Sequence, residues 1–165
     1  MSDKTAFRED FFVPGIPKTA GSKRAFPLKS GRIVVTDACK GSKDWKATVQ
    51  ATVMATWRGP PLVGPMELTI IFAMPRPKSH YRMGRHAADL KPNAPTYHTK
   101  RPDATKMLRA VEDALTGVLW RDDAQIAVQT TYKVYDERPG AHISVKELTD
   151  ADGIPAKDIM ARTEM

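Results

Sequence analysis

Five prolines fall between residues 75 and 102: Pro75, Pro77, Pro92, Pro95 and Pro102. Each fixes φ and removes a backbone donor, so this segment can form neither a long helix nor a central strand. Regular structure must therefore be built on either side of it. Upstream, MELTIIFAM (Met66 to Met74) is a continuous apolar run of strand length, which predicts a strand at the centre of a sheet. Downstream, residues 104–118 carry a helical period. At about 100° per residue, Met107, Leu108, Val111, Ala114, Leu115 and Val118 share one side, while Thr105, Lys106, Arg109, Glu112 and Asp113 share the other. Gly117 suits the position that follows a helix.

The remaining segments complete a simple order. Phe11 to Val13 predict a first strand, punctuated by Pro14-Gly15 and Pro17. A Gly/Ser/Lys-rich loop (Gly21 to Arg24) and a turn at Ser30-Gly31 lead to a second strand at Ile33 to Val35. Ser42 is the expected N-cap of a helix over 43–57, whose stripe of Trp45, Val49, Val53 and Trp57 faces a sheet. Its tryptophans are expected in the core, and Gly59-Pro60-Pro61 ends it. Residues 126–135 alternate as a strand with Ile126, Val128, Thr130, Tyr132 and Val134 on one side, and 141–147 form another. Arg138-Pro139-Gly140 is expected to join these two as a hairpin. The order β-β-α-β-α-β-β predicts a single α+β domain over 11–148, a mixed sheet with two helices. Residues 1–10 and 149–165 are expected to be a flexible start and a tail.

Charge narrows the partner. The 165 residues carry 26 Lys+Arg against 19 Asp+Glu, a net +7, and the isoelectric point is near 9.6. The whole surplus lies between Arg76 and Arg109, where nine basic residues meet only Asp89 and Asp103. Such a concentration favours a polyanion, and Tyr81 and Tyr97 offer rings for stacking on bases or sugars. Arg76, Lys78, Tyr81, Arg82, Arg85, Lys91, Lys100, Arg101 and Lys106 are the residues expected to contact such a polyanion, nucleic acid foremost. The single cysteine, Cys39, excludes an internal disulfide framework and a cysteine zinc cluster. No apolar stretch approaches the roughly 18 residues of a membrane span, and Met1 to Lys4 open no signal peptide. A cytoplasmic protein without a membrane partner is expected. Phosphate-cradling Gly-rich loops, H-E-x-x-H and G-x-S-x-G are absent.

Carboxylates stand at the end of the basic segment. Asp103 precedes the second helix, Asp113 lies on its polar face, and Asp122-Asp123 follow it. Each has an ordinary structural use: Asp103 as an N-cap, Asp113 as the i,i+4 partner of Arg109, Asp122-Asp123 as a polar turn. Together they are expected to converge, and converging carboxylates repel one another unless a cation lies between them. Mg²⁺, or Mn²⁺ in its place, is the expected ion, bridging carboxylates to phosphate oxygens.

The run RPDATKMLRAVEDALTGVLWRDDAQI (Arg101 to Ile126) resembles the signature of the RusA-type Holliday junction resolvases, small phage- and prophage-associated endonucleases. Asp113-Ala114-Leu115 and Asp122-Asp123-Ala124-Gln125 carry the match, and Val13, Gly15, Pro17, Pro75 and Pro77 extend it. The resemblance implies a homodimer with one metal centre per subunit, nicking opposed strands of a four-way DNA junction. It implies catalytic roles for Asp103, Asp122, Asp123 and Arg109, and a metal held by Asp103, Asp122, Asp123 and Asp113. Arg109 stands where the family usually has lysine, a planar fork in place of a point charge. Thr105 stands where the family has a second aspartate, and Lys106 where it has asparagine. A catalytically weakened or inactive branched-DNA-binding protein is the competing expectation. An RNA partner is the third, and Glu112 ranks below Asp113 as a replacement ligand.

Overall fold

The computed structural model describes residues 7–21, 23–27, 29–37, 40–154 and 158. It contains β1 (Arg8–Pro14), β2 (Lys23–Pro27), β3 (Ile33–Asp37), α1 (Ser42–Thr56), β4 (Met66–Pro75), α2 (Ala104–Leu115), β5 (Ile126–Asp136) and β6 (Gly140–Glu147). Short 3₁₀ turns occupy Lys78–His80, Gly84–His86, Asp123–Gln125 and Asp150–Asp152. The α+β class and the two helices are as expected. Cys39 and most of the tail lie outside the described residues.

One four-stranded mixed sheet runs in the order β1-β6-β4-β5, and β2 pairs with β3 in a separate two-stranded ribbon. The apolar run of β4 does take a central position. It pairs antiparallel with β6 and parallel with β5, and Met66, Leu68, Ile70, Phe72 and Met74 are buried. This arrangement overturns the expected hairpin. β5 and β6 are not neighbours, and the three residues between them carry the chain across the end of β4. Local turn chemistry at Arg138-Pro139-Gly140 suits a hairpin, but β4 has the most apolar surface to bury and gains two partners by lying between them. Gly140 is still required, because a Cβ there would stand 2.5 Å from the Val13 carbonyl of β1.

Other boundaries shift for local reasons. β1 begins at Arg8, three residues earlier than the apolar run, because backbone pairing with β6 continues through polar residues. β2 occupies part of the expected Gly/Ser/Lys loop, since its five residues pair with β3 despite their charge. Gly41, at φ +83°, takes the N-cap position of α1, and Ser42 is buried inside the helix with its hydroxyl unpartnered. α2 ends at Leu115 instead of 118, with Gly117 at φ +82° just beyond it.

Both helices cover one face of the sheet. From α1, Trp45, Val49 and Val53 are buried, with Trp57 packed at the edge. From α2, Met107, Leu108, Val111, Ala114 and Leu115 enter the same core, as the helical period requires. On β5, Ile126 packs against the core, but Val128 and Tyr132, beyond an irregularity in the pairing with β4, are 44% and 46% exposed beside Glu67 and Ile71 of β4, whereas Tyr135 is buried. The outer edge of β5 is closed by the proline-rich segment: Tyr135 N–H donates to the Thr96 carbonyl and His98 N–H to that of Lys133. An edge strand is thereby shielded from pairing with other chains.

Candidate active site around helix α2

The amino end of α2 is built by its neighbours. Lys133 on β5 donates from Nζ to the carbonyls of Lys100 (2.7 Å) and Pro102 (2.8 Å), fixing the turn immediately before Asp103. Asp103 occupies the N-cap position, yet its carboxylate makes no capping hydrogen bond. It lies 3.4 Å from Lys106 Nζ, with both side chains 61% exposed, a pairing of little energetic weight in water. The ordinary structural use of an aspartate here is therefore not made. Thr105 is exposed on the same turn. A cavity of about 610 Å³ opens beside Asp103.

The carboxyl end of α2 is acidic and more tightly held. Asp113 does not serve Arg109; it accepts a 2.8 Å hydrogen bond from Lys46 of α1, tying the two helices together. Glu112, one residue earlier, accepts from the amide of Gln129 on β5. Burial pushes the Glu112 carboxyl above the ordinary glutamate value. The Gln129 hydrogen bond offsets part of that rise, and the negative charges of Asp123 and Asp113 add to it.

The acidic turn is pinned through Gln125. Its side-chain oxygen accepts from the N–H groups of Arg121 and Asp122, both at 2.9 Å, and its amide donates to the carbonyls of Leu62 and Gly64 ahead of β4. Asp122 closes a reciprocal capping box, accepting from Ala124 N–H at 2.8 Å. Asp123 is exposed, and no hydrogen bond or ion pair ties down its side chain among the described residues.

The structure thus does not gather all four expected aspartates. Asp103 borders Met74, near the end of β4, whereas the Gln125 anchors lie ahead of its start. Between them runs a helix of 12 residues, about 18 Å. Among the described residues no group of three or more Asp, Glu, His or Cys side chains is close enough to hold a metal ion. The neighbour that Asp123 does influence is Glu112, which spacing along the helix ranked below Asp113. Spacing on α2 could not register that Lys46 of another helix engages Asp113. A hard cation remains chemically compatible with this end. Its donors are all oxygens, its like charges oppose one another, and Mg²⁺ commonly needs only one or two carboxylates plus substrate phosphates.

The basic segment is more structured than an extended loop. Tyr81 bridges Leu90, Arg82 N–H donates to the Asp89 carbonyl, and Lys91 N–H to that of His80. Arg76 is an anchor: its guanidinium donates to the carbonyls of Pro95 (2.8 Å) and Tyr135 (3.3 Å) and lies over the Tyr135 ring. His80 and His98 pack against that same ring. Both have pKa values lowered, first by burial and then by neighbouring cations: Arg76, Lys100 and Lys91 for His80, chiefly Lys133 for His98. Lys91 Nζ donates to the Ser79 carbonyl. Lys78, Arg82, Arg85, Lys100 and Arg101 project into solvent, as do Met83 and Tyr97. Lys133 and Gln129 went unmarked in the sequence, since neither stands in a motif.

Comparison with known proteins gives the family. The chain is similar to the "Uncharacterized protein YqaN" of Bacillus subtilis (strain 168), 28% identical over 145 residues that cover 84% of this chain and 96% of that protein. A family model described as endodeoxyribonuclease RusA matches residues 14–146, from the end of β1 into β6 and through both ends of α2. The chain belongs to the RusA endodeoxyribonuclease family.

Proposed function

We propose that this protein is a Mg²⁺-dependent, structure-selective endodeoxyribonuclease that cuts Holliday junctions and other branched DNA, acting as a homodimer. The observation that carries the reading is the meeting of opposite fields along one helix, a cation-rich amino end and a carboxylate-rich carboxyl end. DNA brought by its phosphates to the basic segment would lie along α2. Asp123 would hold the ion together with Asp122 or Glu112, and Asp103 would serve the opposite end. When bound, Mg²⁺ would supply charge neutralisation at the scissile phosphate and activation of water, leaving 5′-phosphate and 3′-hydroxyl ends. Arg109, on the polar face between the two ends, would keep positive charge beside the phosphate. Recognition by shape and phosphate makes binding steeply salt-dependent.

A labelled four-way junction incubated with the protein and Mg²⁺ tests this directly. Nicks near the branch, lost in Asp123→Asn with binding retained, are the expected result. Intact binding without nicks at any metal concentration or pH overturns the enzymatic reading. A two-fold junction suits a two-fold dimer, and Ile71, Val128 and Tyr132 on the uncovered sheet face are side chains that a second copy would shield. Sedimentation gives the mass that decides this.

A specific observation favours a second reading, a branched-DNA binder of weakened activity: Thr105 brings no carboxylate, and Lys106 sits against Asp103. Thr105→Asp separates the two. A large gain in cutting supports decay of the site, and no gain supports a working arrangement that does not need this position.

A further inference from the structure

The cavity beside Asp103 brings Lys18, Lys40 and an apolar wall, which the nuclease reading does not use, to Arg101, Asp103 and Lys106, which it does. Among the described residues of its lining, Lys18, Lys40, Arg101 and Lys106 are basic and Asp103 is acidic. The other half of its lining is apolar, from Ile16, Pro17, Met74 and Pro102. Pro17 and Met74 are themselves buried, so the apolar wall is backed by the core. Its walls are held in place. Ala20 N–H donates to the Lys106 carbonyl at 2.9 Å, stitching the loop after β1 to the first turn of α2. Lys18 runs across Gly41, where a Cβ would meet its side chain at 3.7 Å. A volume near 610 Å³ lies within the range of about 300–1,000 Å³ typical of small-molecule sites.

We propose that this cavity is a subsite for one unpaired nucleotide of the DNA substrate, its phosphate on the lysine–arginine rim and its base against the apolar floor. The assignment rests on the reading of the chain as a protein that acts on DNA. Phosphate contacts alone would need only the rim; the apolar half suits a flat, largely apolar group attached to the anion. A base stacked within a duplex presents only its edge, not the face that an apolar wall would cover. The nucleotide must leave the stack, which costs least where pairing is already interrupted. A branch point supplies such nucleotides. Lys18 and Lys40 come from elements far from the basic segment and extend the DNA-contacting surface to the other side of α2.

Two measurements test this on the intact protein. A four-way junction carrying 2-aminopurine at the branch should brighten on binding, because the base unstacks into a cavity whose described lining contains no aromatic ring. The same base inside a duplex arm should not respond. Lys18→Gln with Lys40→Gln should abolish the signal and lower the salt slope of junction binding by up to about 0.9, one phosphate contact's worth. If that pair fails to fold, the exposed Lys40→Gln alone should remove about half of the slope change. An unchanged signal on binding, or one that survives the substitutions, overturns the subsite.

Separately, dAMP should shift the methyl resonances of Met74 and Ile16 in the protein without DNA, whereas inorganic phosphate at the same concentration should leave them in place. Equal shifts with phosphate reduce the cavity to an anion hole and also overturn the proposal. A protein that binds no junction overturns the nuclease reading instead, and the dAMP shifts then decide the cavity by themselves.

Discussion

The two ends of α2 differ in how they use charge. At the amino end the polar groups are exposed: Asp103 caps nothing, Thr105 faces solvent, and Lys106 borders a cavity. At the carboxyl end Asp113 is tied to Lys46, Glu112 to Gln129, and the following turn to β4 through Gln125. At the carboxyl end the acidic side chains of the helix are themselves engaged, whereas at the amino end Lys133 and Ala20 hold the backbone and leave the side chains exposed. A helix macrodipole favours the same division, since its amino end attracts phosphate. The lesson is that identical residue types on one helix differ in what they can do according to which neighbours have already engaged them.

The contrast can be broken most severely through the anchored end. Leu115→Ala, fully buried, should cost about 2–5 kcal/mol by chemical denaturation, whereas the exposed Thr105→Ala should stay within about 0.5 kcal/mol. Next comes chemistry: Asp123→Asn should slow junction cutting by about two orders of magnitude or more, the scale of a single catalytic group, with little change in melting temperature. Asp113→Asn should leave the cutting rate within a factor of about three; a loss as large as that of Asp123 would erase the distinction between an engaged and an available aspartate. Removing Lys106 by alanine should weaken junction binding and reduce its salt slope by about 0.9.

Smaller again is a pH effect at the anchor of the basic segment. His98 has its pKa lowered by burial and by Lys133. The unfolded chain therefore binds more protons below the ordinary value of 6.5, and stability falls as the pH drops from there toward the folded pKa. Denaturation at neutral and mildly acidic pH should show this loss, and His98→Gln should flatten it. Glu112, whose pKa is raised, works in the opposite sense, so the difference between wild type and His98→Gln is the diagnostic quantity. Smallest of all, Lys46→Ala should cost less than about 1 kcal/mol, as expected of a partly exposed ion pair.

Much of the fold was legible because its signals are local. The apolar stripe of α2 repeats within a turn, β4 is a strongly apolar run, and Gly117 stands two residues past the end of the helix. The strand order was not. A Pro-Gly turn between two alternating segments suits a hairpin, and only the competition of β4 for the centre of the sheet separates them. The side of β5 that faces solvent follows from the same competition. Among the candidate site residues, Asp103 and Asp123 kept exposed carboxylates. Asp113 and Arg76 were engaged by Lys46, Pro95 and Tyr135, partners remote in sequence that no motif could signal.

The amino-acid sequence by itself determined where the positive charge lies, which face of α2 is buried, and the spacing of acidic residues that links the chain to its family. These are properties of neighbouring residues, set by helical period and composition. The tertiary structure alone decided that the amino end of α2 meets Lys18 and Lys40 at a cavity, that Lys46 of α1 engages Asp113, and that β4 divides β5 from β6. Each of these depends on which elements bury their apolar faces against one another, and burial is shared across the whole chain.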